Sequence, residues 1–324
     1  MKKALITGIS GQDGSYLSEL LLAKGYEVHG IAMKVEIEDA IHRLTRLESV
    51  MDQVHLHPAE LESFSSILRV FNEVHPDECY HMAAQSFVDY SFDNEFSTMN
   101  VNLNGTHNVL AAMKMSAPGC KFYFAGSSEM FGKAKSSPQD ENTPFNPRSI
   151  YGISKVAGFY LSVNYRNLYG MFCSNGILFN HESERRGYEF VTRKITSGIA
   201  KIKMGKQKNI KLGNLNARRD WGYAPDYVRA MWQILQYATP EDFVIGTGIT
   251  HSVREFLEIA FNTLDLDWQK YVETSEDLYR PSEEIELKAN SQKAKDLLKW
   301  EPSINFETMV QQMVLADYKI IKNT

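Results

Sequence analysis

The feature that most restricts the fold is a glycine turn near the start of the chain, Gly8-Ile9-Ser10-Gly11-Gln12-Asp13-Gly14. Its G-x-x-G-x-x-G spacing lies between a short apolar segment and a segment with helical leucine spacing. Glycine permits the tight turn and lets backbone amides approach a pyrophosphate at the start of the helix. We therefore expect Gly8, Gly11, Gln12, Asp13 and Gly14 to line a dinucleotide site, with a purely structural turn as the alternative.

Strand and helix patterns alternate through the first half of the chain. Segments 3–7, 27–33, 54–57, 78–84 and 121–127 have the pattern of strands, and helical segments, among them 98–115, separate them. This order predicts an α/β fold, a Rossmann-type doubly wound parallel sheet with a smaller, mostly helical substrate domain. We expect a dinucleotide-binding domain over 1–178, with later returning segments at about 215–250, and an interleaved substrate domain over 179–324.

Composition excludes several classes of function. The formal net charge is −5, and the mixed charges form no basic stripe, so a nucleic-acid partner is not expected. The first apolar run is too short for a signal core or a membrane span, so no membrane partner is expected either. Cys79, Cys120 and Cys173 form no paired spacing, and His55 and His57 have no partner nearby, so we predict no disulfide, no metal and a cytoplasmic protein.

A tyrosine and a lysine provide the first candidate for chemistry. Tyr151 and Lys155 are four residues apart, which on a helix places both side chains on one face. A lysine ammonium near a phenol stabilises the phenolate and suits the tyrosine to proton transfer. A Y-x-x-x-K pair is common by itself, but here it follows a dinucleotide turn and a strand that ends in serines. This combination resembles the extended short-chain dehydrogenases.

Ser127 and Glu129 follow the strand 121–127, at the carboxyl edge where doubly wound sheets bind their ligands. The Ser127 hydroxyl can share the hydrogen bond to a substrate alcohol with Tyr151. Glu129 distinguishes between reactions, because a dehydratase needs a carboxylate to remove a carbon-bound proton, whereas an oxidoreductase or epimerase does not. A carboxylate that only stabilises a helix start is the alternative for Glu129.

The end of the second strand bears on the cofactor. An acid there would bind the ribose hydroxyls of NAD and repel the extra phosphate of NADP. The chain has no acid before Glu36, and it has Lys34 and, further on, Arg43. We therefore expect NADP, with Lys34 and Arg43 at its phosphate, while NAD stays possible because Lys34 is equally well an ordinary surface lysine.

A larger set of segments, in the same order, resembles the GDP-mannose 4,6-dehydratase family over nearly the whole chain. They are ITGISGQDGSYL, MAAQSFV, SSEMFG, YGISK, GILFNHES, RRGYEFVTRKI, LGNLNARRDWGYAPDYV and RPSEE. The resemblance implies that Ser127, Glu129, Tyr151 and Lys155 are catalytic. It also implies a GDP-sugar substrate and a homodimer or homotetramer.

The resemblance also implies residues that bind the cofactor and the substrate. The implied cofactor residues, besides the turn, Tyr151 and Lys155, are Glu60, Leu61, Ala83, Ala84, Ser86, His181 and Arg186. The implied substrate residues, besides Ser127 and Glu129, are Ser86, Asn180, Val191, Lys194, Arg219, Arg280 and Glu283. A surface ion pair is the alternative for each arginine alone.

The chain departs from the family's pattern after the second strand, where Met33 and Lys34 replace a pair of arginines. It is also short between Trp268 and Arg280. The resemblance implies the conversion of GDP-mannose to GDP-4-keto-6-deoxymannose. The shorter segment leaves GDP-manno-heptose as an alternative substrate. A nucleotide-sugar epimerase or reductase is a second alternative, and a catalytically silent dinucleotide-binding regulator is a third.

Overall fold

The computed structural model describes residues 1–275, 277 and 286–323. Its strands, in chain order, are β1 Lys3–Thr7, β2 Glu27–Ala32, β3 Val54–Pro58, β4 Glu78–His81, β5 Lys121–Ser127, β6 Cys173–Leu178, β7 Asn180–Glu182, β8 Ile210–Leu212, β9 Arg218–Tyr223, β10 Asp242–Ile245, β11 Thr250–Ser252 and β12 Val272–Thr274. Its α-helices are α1 Gln12–Ala23, α2 Lys34–Glu38, α3 Ala40–Arg43, α4 Phe64–Val74, α5 Val88–Asp93, α6 Glu95–Met99, α7 Gly105–Ser116, α8 Ile150–Tyr169, α9 Val191–Lys203, α10 Ala224–Gln236, α11 Val253–Asn262, α12 Gln292–Leu298 and α13 Phe306–Asn323.

Within this described part, seven parallel strands form the main sheet in the order β3-β2-β1-β4-β5-β6-β10. One apolar core lies between the sheet and α1 and α10, and a second lies on the opposite face under α4, α7 and α8. The predicted Rossmann-type fold is therefore confirmed. The strand order reverses between β1 and β4, and such a reversal opens a crevice at the carboxyl ends of the strands.

Helix α8 reaches the sheet closely because Gly158 faces the ring of Phe124 on β5, where a Cβ atom would lie 2.5 Å from the ring carbon Cζ. The Ser149 hydroxyl caps the start of this helix by accepting a hydrogen bond from the Gly152 amide at 3.0 Å. The close packing and the cap place the first turns of α8, which carry Tyr151, beside the end of β5.

The second lobe has its own apolar core, to which α9, α11 and α13 contribute. Strand β9 pairs with β7 in parallel and with β11 in antiparallel orientation, and β8 pairs with β12. The chain between these elements returns to the first lobe, because β10 joins the main sheet and α10 packs on α1. Helix α12 returns as well, beyond the expected 215–250, and packs against α10 and β10.

The predicted long helix over 98–115 is interrupted. A π-helical turn, Asn100–Asn104, joins α6 to α7. Such turns insert one extra residue into a helix and commonly reposition side chains at functional sites. In the described ranges, no helix combines the length and the apolar character needed to cross a membrane.

Candidate active site

A cleft of about 670 Å³ follows the carboxyl ends of β1, β2, β4, β5 and β6, and we call it the sheet-edge cleft. Most of the predicted site residues line this cleft. They are Gly8, Gly11, Gln12, Asp13, Gly14, Glu60, Leu61, Ala83, Ala84, Ser86, Ser127, Glu129, Tyr151, Lys155, Asn180, His181, Arg186 and Arg219. A second cleft of about 1080 Å³ lies along Trp221–Tyr223 and 300–307, and it holds none of the predicted residues. The parallel register of the sheet thus brings residues from distant parts of the chain to one edge.

The glycine turn forms one wall of the sheet-edge cleft. Gly8 has φ of +74°, and a Cβ atom there would lie 2.8 Å from the Ala83 amide nitrogen. A Cβ atom on Gly14 would overlap the Gly8 carbonyl oxygen. The turn therefore presents bare backbone at the N-terminus of α1, and this backbone fits the pyrophosphate of a dinucleotide.

Tyr151 and Lys155 lie side by side on α8 and are almost fully buried, with 8% and 5% of their surfaces exposed. The Lys155 ammonium donates to the Ala125 carbonyl on β5 at 2.8 Å and lies 5.9 Å from the centre of the Tyr151 ring. The lysine is therefore anchored to the sheet and aimed at the tyrosine.

Ser127 and Glu129 face the same space from the end of β5. The Ser127 hydroxyl lies near enough to the Tyr151 phenol to lower its pKa, and it accepts a hydrogen bond from the Glu129 amide at 3.2 Å. Glu129 stands in a short 3₁₀ turn, Ser128–Met130, and its side chain lines the cleft. Ser127, Glu129, Tyr151 and Lys155 therefore line one cleft, and the Glu129 charge is near enough to Tyr151 to raise the pKa of its phenol.

Burial perturbs both groups on α8. It raises the pKa of Tyr151 to about 12, although the nearby Ser127 hydroxyl acts in the opposite direction, and it lowers the pKa of Lys155 to about 8. A phenol with so high a pKa is almost wholly protonated near neutral pH, so it can accept a proton only where positive charge stabilises its phenolate. The charge of Arg186 lowers the Tyr151 pKa, and protonated Lys155, 5.9 Å from the centre of the ring, is a second cation beside the phenol.

Gln12, Asp13 and His181 link the start of α1 to β7. The Asp13 carboxylate accepts from His181 Nε2 at 2.9 Å, and the amide of Gln12 donates to the His181 carbonyl. Burial disfavours both charges, but the mutual attraction of the pair holds the pKa of Asp13 below and that of His181 above the usual values. Since Tyr227 stacks on the His181 ring at 4.6 Å, the pair is fixed in place.

Asn102 is a residue that the sequence analysis missed. Its side chain lies on the π-helical turn, where it donates to the Ser154 hydroxyl on α8 and to the Gln85 carbonyl, and accepts from the Gln85 amide at 2.8 Å. It therefore holds the Gln85–Ser86 wall against the helix that carries Tyr151. The extra residue of the π turn leaves no recognisable signal in the sequence.

The expected cations are absent from the β2 end of the cleft. Lys34 is 77% exposed and pairs with Glu38, and Arg43 pairs with Asp39, so the structure places neither in the described lining. Glu36 lines the cleft in their place. The sequence did contain a signal for this, because Glu36 stands three residues after Met33, the spacing at which a glutamate turns back to the helix start.

The predicted substrate residues are only partly brought together. Asn180, Arg186 and Arg219 line the cleft, and the Arg186 guanidinium lies 3.5 Å from the centre of the Phe190 ring. Val191 and Lys194 are exposed on the first turns of α9, outside this lining. Arg280 and Glu283 lie outside the described residues.

Arg193, next to Lys194, has a structural place instead. Arg193 is 4% exposed, and its guanidinium ion-pairs with Asp317 on α13 at 2.7 Å and donates to the Arg186 carbonyl at 3.0 Å. It therefore links the C-terminal helix to the loop that carries Arg186. Among the described residues, no group of three or more His, Cys, Asp or Glu could hold a metal ion.

Comparison with protein families gives one consistent result. The model of the family described as GDP-mannose 4,6 dehydratase matches residues 5–313. GDP-mannose 4,6 dehydratase 2 of Arabidopsis thaliana is 46% identical over 99% of this chain and 88% of its own length. GDP-mannose 4,6 dehydratase of Homo sapiens is 44% identical over 98% of this chain and 92% of its own length.

Solved structures share the fold at lower identity. The dTDP-glucose 4,6-dehydratase DesIV from Streptomyces venezuelae, with NAD and TYD bound, superimposes with a TM-score of 0.86 at 21% identity, covering 99% of this chain and 98% of that one. RMD from Pseudomonas aeruginosa, complexed with NADPH, gives 0.83 at 20% identity over 98% of this chain and all of that one. The structures at this identity establish the fold alone.

Proposed function

The chain belongs to the GDP-mannose 4,6-dehydratase family, and from this premise we propose that it removes water from a GDP-linked sugar, converting GDP-mannose to GDP-4-keto-6-deoxymannose. The observation that carries the proposal is the position of Glu129, whose carboxylate lines the same cleft as Tyr151 and Lys155. An epimerase or reductase has no need of a second proton-transfer group at this place, whereas elimination of water does.

Tyr151 acts first in this proposal, by accepting the proton of the sugar's 4-hydroxyl. The Lys155 ammonium stabilises the phenolate, and the Ser127 hydroxyl shares the hydrogen bond to the substrate oxygen. Gly8, Gly11 and Gly14 would hold a nicotinamide dinucleotide, which when bound would supply hydride acceptance from carbon 4 and hydride return to carbon 6.

Glu129 acts second. Once carbon 4 is a ketone, the hydrogen on carbon 5 is acidic, and the Glu129 carboxylate removes it. The carboxyl proton then passes to the departing 6-hydroxyl, so that water leaves and a double bond forms between carbons 5 and 6. The hydride then returns to carbon 6 and a proton to carbon 5, which balances the proton that Tyr151 took from the 4-hydroxyl. The net reaction is therefore the loss of one water, that of a lyase, with no oxidised or reduced product left over.

We assign the remaining residues by their position. Gly8, Gly11 and Gly14 would hold the pyrophosphate of the dinucleotide. Arg186 lies near it, and Arg219, with Asn180, faces the sugar diphosphate. Guanidinium groups suit this role because they bind phosphate oxygens with two hydrogen bonds. The exposed Val191 and Lys194 on α9 would border the nucleotide base, and Arg280 and Glu283, outside the described residues, complete the assignment that the resemblance implies.

We also propose a homodimer or homotetramer in the cytoplasm. Exposed aromatic side chains on neighbouring helices support the assembly, since Phe96 on α6 is 91% exposed and Tyr160 on α8 is 57% exposed. Large apolar groups at one surface commonly mark an interface. Three buried, unpaired cysteines agree with a reducing compartment.

The test of the proposed function is an incubation of the purified protein with GDP-mannose and, separately, GDP-manno-heptose. Mass spectrometry is expected to detect a product lighter by one water, and the sugar that reacts with the higher kcat/KM is the substrate. An isomer of unchanged mass would instead favour the epimerase alternative. Tight GDP-sugar binding without any product would refute the activity.

A further inference from the structure

Glu36 lies where the sheet-edge cleft meets the end of β2, together with Ala32, Met33 and Ser10. In a doubly wound sheet the pyrophosphate lies at the first glycine turn, and the adenosine ribose lies at the end of the second strand. The side chain that reaches the cleft at this point therefore faces the 2′-position of that ribose. This position carries a hydroxyl in NAD and a phosphate in NADP.

The Glu36 carboxylate is held from two sides. One oxygen accepts from the Ser10 hydroxyl at 2.8 Å, and the other accepts from the Met33 amide, also at 2.8 Å. Ser10 belongs to the glycine turn and Met33 directly follows β2, so the carboxylate bridges the two backbone segments that border the ribose. A carboxylate has lone pairs left after two such bonds, and it can still accept from ribose hydroxyls.

Among the described residues that line the sheet-edge cleft, no cation forms an ion pair with Glu36. Lys34 and Arg43 are paired with Glu38 and Asp39. Arg46 is not among the described residues that line the cleft. Its guanidinium donates hydrogen bonds to the backbone carbonyls of Arg185 and of Ser10 in the glycine turn.

The cationic side chains that do line the described part of the cleft are Lys155, Arg186 and Arg219. Lys155 is bonded to β5, three strands from β2 and hence about 14 Å away at ordinary strand spacing. Arg186 and Arg219 belong to the second lobe. A 2′-phosphate would therefore face the Glu36 carboxylate, and none of the three cations in the described lining would lie beside it.

We propose that this chain binds NAD in preference to NADP, and that Glu36 determines the preference by accepting the ribose hydroxyls and repelling a 2′-phosphate. This inference replaces the expectation of NADP. It rests on the proposed function only in requiring a nicotinamide dinucleotide in the sheet-edge cleft, and it does not depend on which sugar reacts.

The test is direct binding without any sugar. Nucleotide-free protein is titrated with NAD⁺ and with NADP⁺ by isothermal calorimetry, for the wild type, Glu36→Gln and the control Glu38→Gln. Glu38 is two residues away and 64% exposed, so its substitution removes the same charge from a side chain outside the described lining. Thermal melts of all three proteins verify that each is folded, and Glu36→Ala provides a second variant without any hydrogen-bonding group.

We expect the wild type to bind NAD⁺ at least tenfold more tightly than NADP⁺, a difference of about 1.4 kcal/mol. Glu36→Gln and Glu36→Ala should bring the two affinities to within about threefold, or about 0.6 kcal/mol, mainly through tighter NADP⁺ binding. Glu38→Gln should keep the wild-type ratio.

Equal or tighter binding of NADP⁺ by the wild type would overturn the inference, as would the same change of ratio in Glu36→Gln and Glu38→Gln. The two proposals fail separately. A preference for NAD⁺ without any dehydrated product would refute the proposed function alone, and dehydration with a preference for NADP⁺ would refute this inference alone.

Discussion

The buried ammonium of Lys155 should make the stability of the protein depend on pH in a way that a Lys155→Met variant does not share. Burial lowers the pKa of Lys155 from 10.5 to about 8 in the folded chain, whereas in the unfolded chain the group is solvated. Below about pH 8 both states hold the proton, and the folded state carries the full cost of the buried charge. As the pH rises from about 8 to 10.5, the folded state releases the proton first, and that cost is relieved.

The size of the effect follows from the two pKa values. Each pH unit between them changes the free energy of unfolding by about 1.4 kcal/mol. Between about pH 7 and about pH 9.5 the wild type should therefore gain about 2 kcal/mol in stability relative to the variant. The lost hydrogen bond to the Ala125 carbonyl and the altered packing shift the variant's stability by a nearly constant amount, so they cancel from this pH-dependent difference.

The assay is urea unfolding of nucleotide-free wild type and Lys155→Met, followed by circular dichroism at the two pH values. Tyrosines and cysteines ionise in both proteins, and comparison with the variant removes their contribution. A stability difference that is the same at both pH values, or that moves in favour of the variant as the pH rises, would refute the argument that a desolvated ammonium lies beside Tyr151.

The other predictions concern the second proton-transfer group, the Asp13–His181 pair and the interface. Glu129→Gln should lower turnover by about 10²- to 10⁴-fold while GDP-mannose still produces reduced nicotinamide, seen by its near-ultraviolet absorbance; full turnover would contradict the dehydratase assignment. Asp13→Asn should lower the pKa of His181, measured by NMR titration. In the wild type the Asp13 charge raises this pKa and outweighs the lowering effect of burial. An unchanged value would show that the pair is not coupled. Phe96→Asp should reduce the mass measured by light scattering to that of a monomer, since it replaces the most exposed aromatic ring of the described residues with a charge. An unchanged assembly would locate the interface elsewhere.

The parts of the site that sequence could predict are those set by short-range patterns. Gly8 follows directly on a strand, and Ser127 ends one, so a parallel sheet brings them to the same edge. Tyr151 and Lys155 are one helical turn apart, so any helix there presents them together. In each case the local backbone pattern determines the direction of the side chain, and the structure only adds the distances.

The parts that sequence could not predict depend on contacts between distant segments or on a single extra residue. Arg193 stands in the segment expected at the nucleotide base, but its guanidinium is taken up by Asp317, 124 residues further along the chain. Asn102 faces Gln85 and Ser154 because a π turn rotates it there. Lys34 was expected at the cofactor phosphate because of its charge alone. The short helix α2 instead turns Lys34 towards solvent and Glu36 towards the cleft.

These two groups of residues differ in how freely they can change. Ser127, Tyr151 and Lys155 are tied to β5 and α8, and α8 packs so closely on β5 at Gly158 that a small shift of the helix would move the whole set. Glu36 lies on a five-residue helix with no buried residue, at the edge of the core. Substitutions there can exchange a charge that faces the cofactor without disturbing the packing that aligns the chemistry. A change of cofactor within a family that keeps its reaction is therefore least costly at the end of β2, which is where this chain departs from the pattern it otherwise follows.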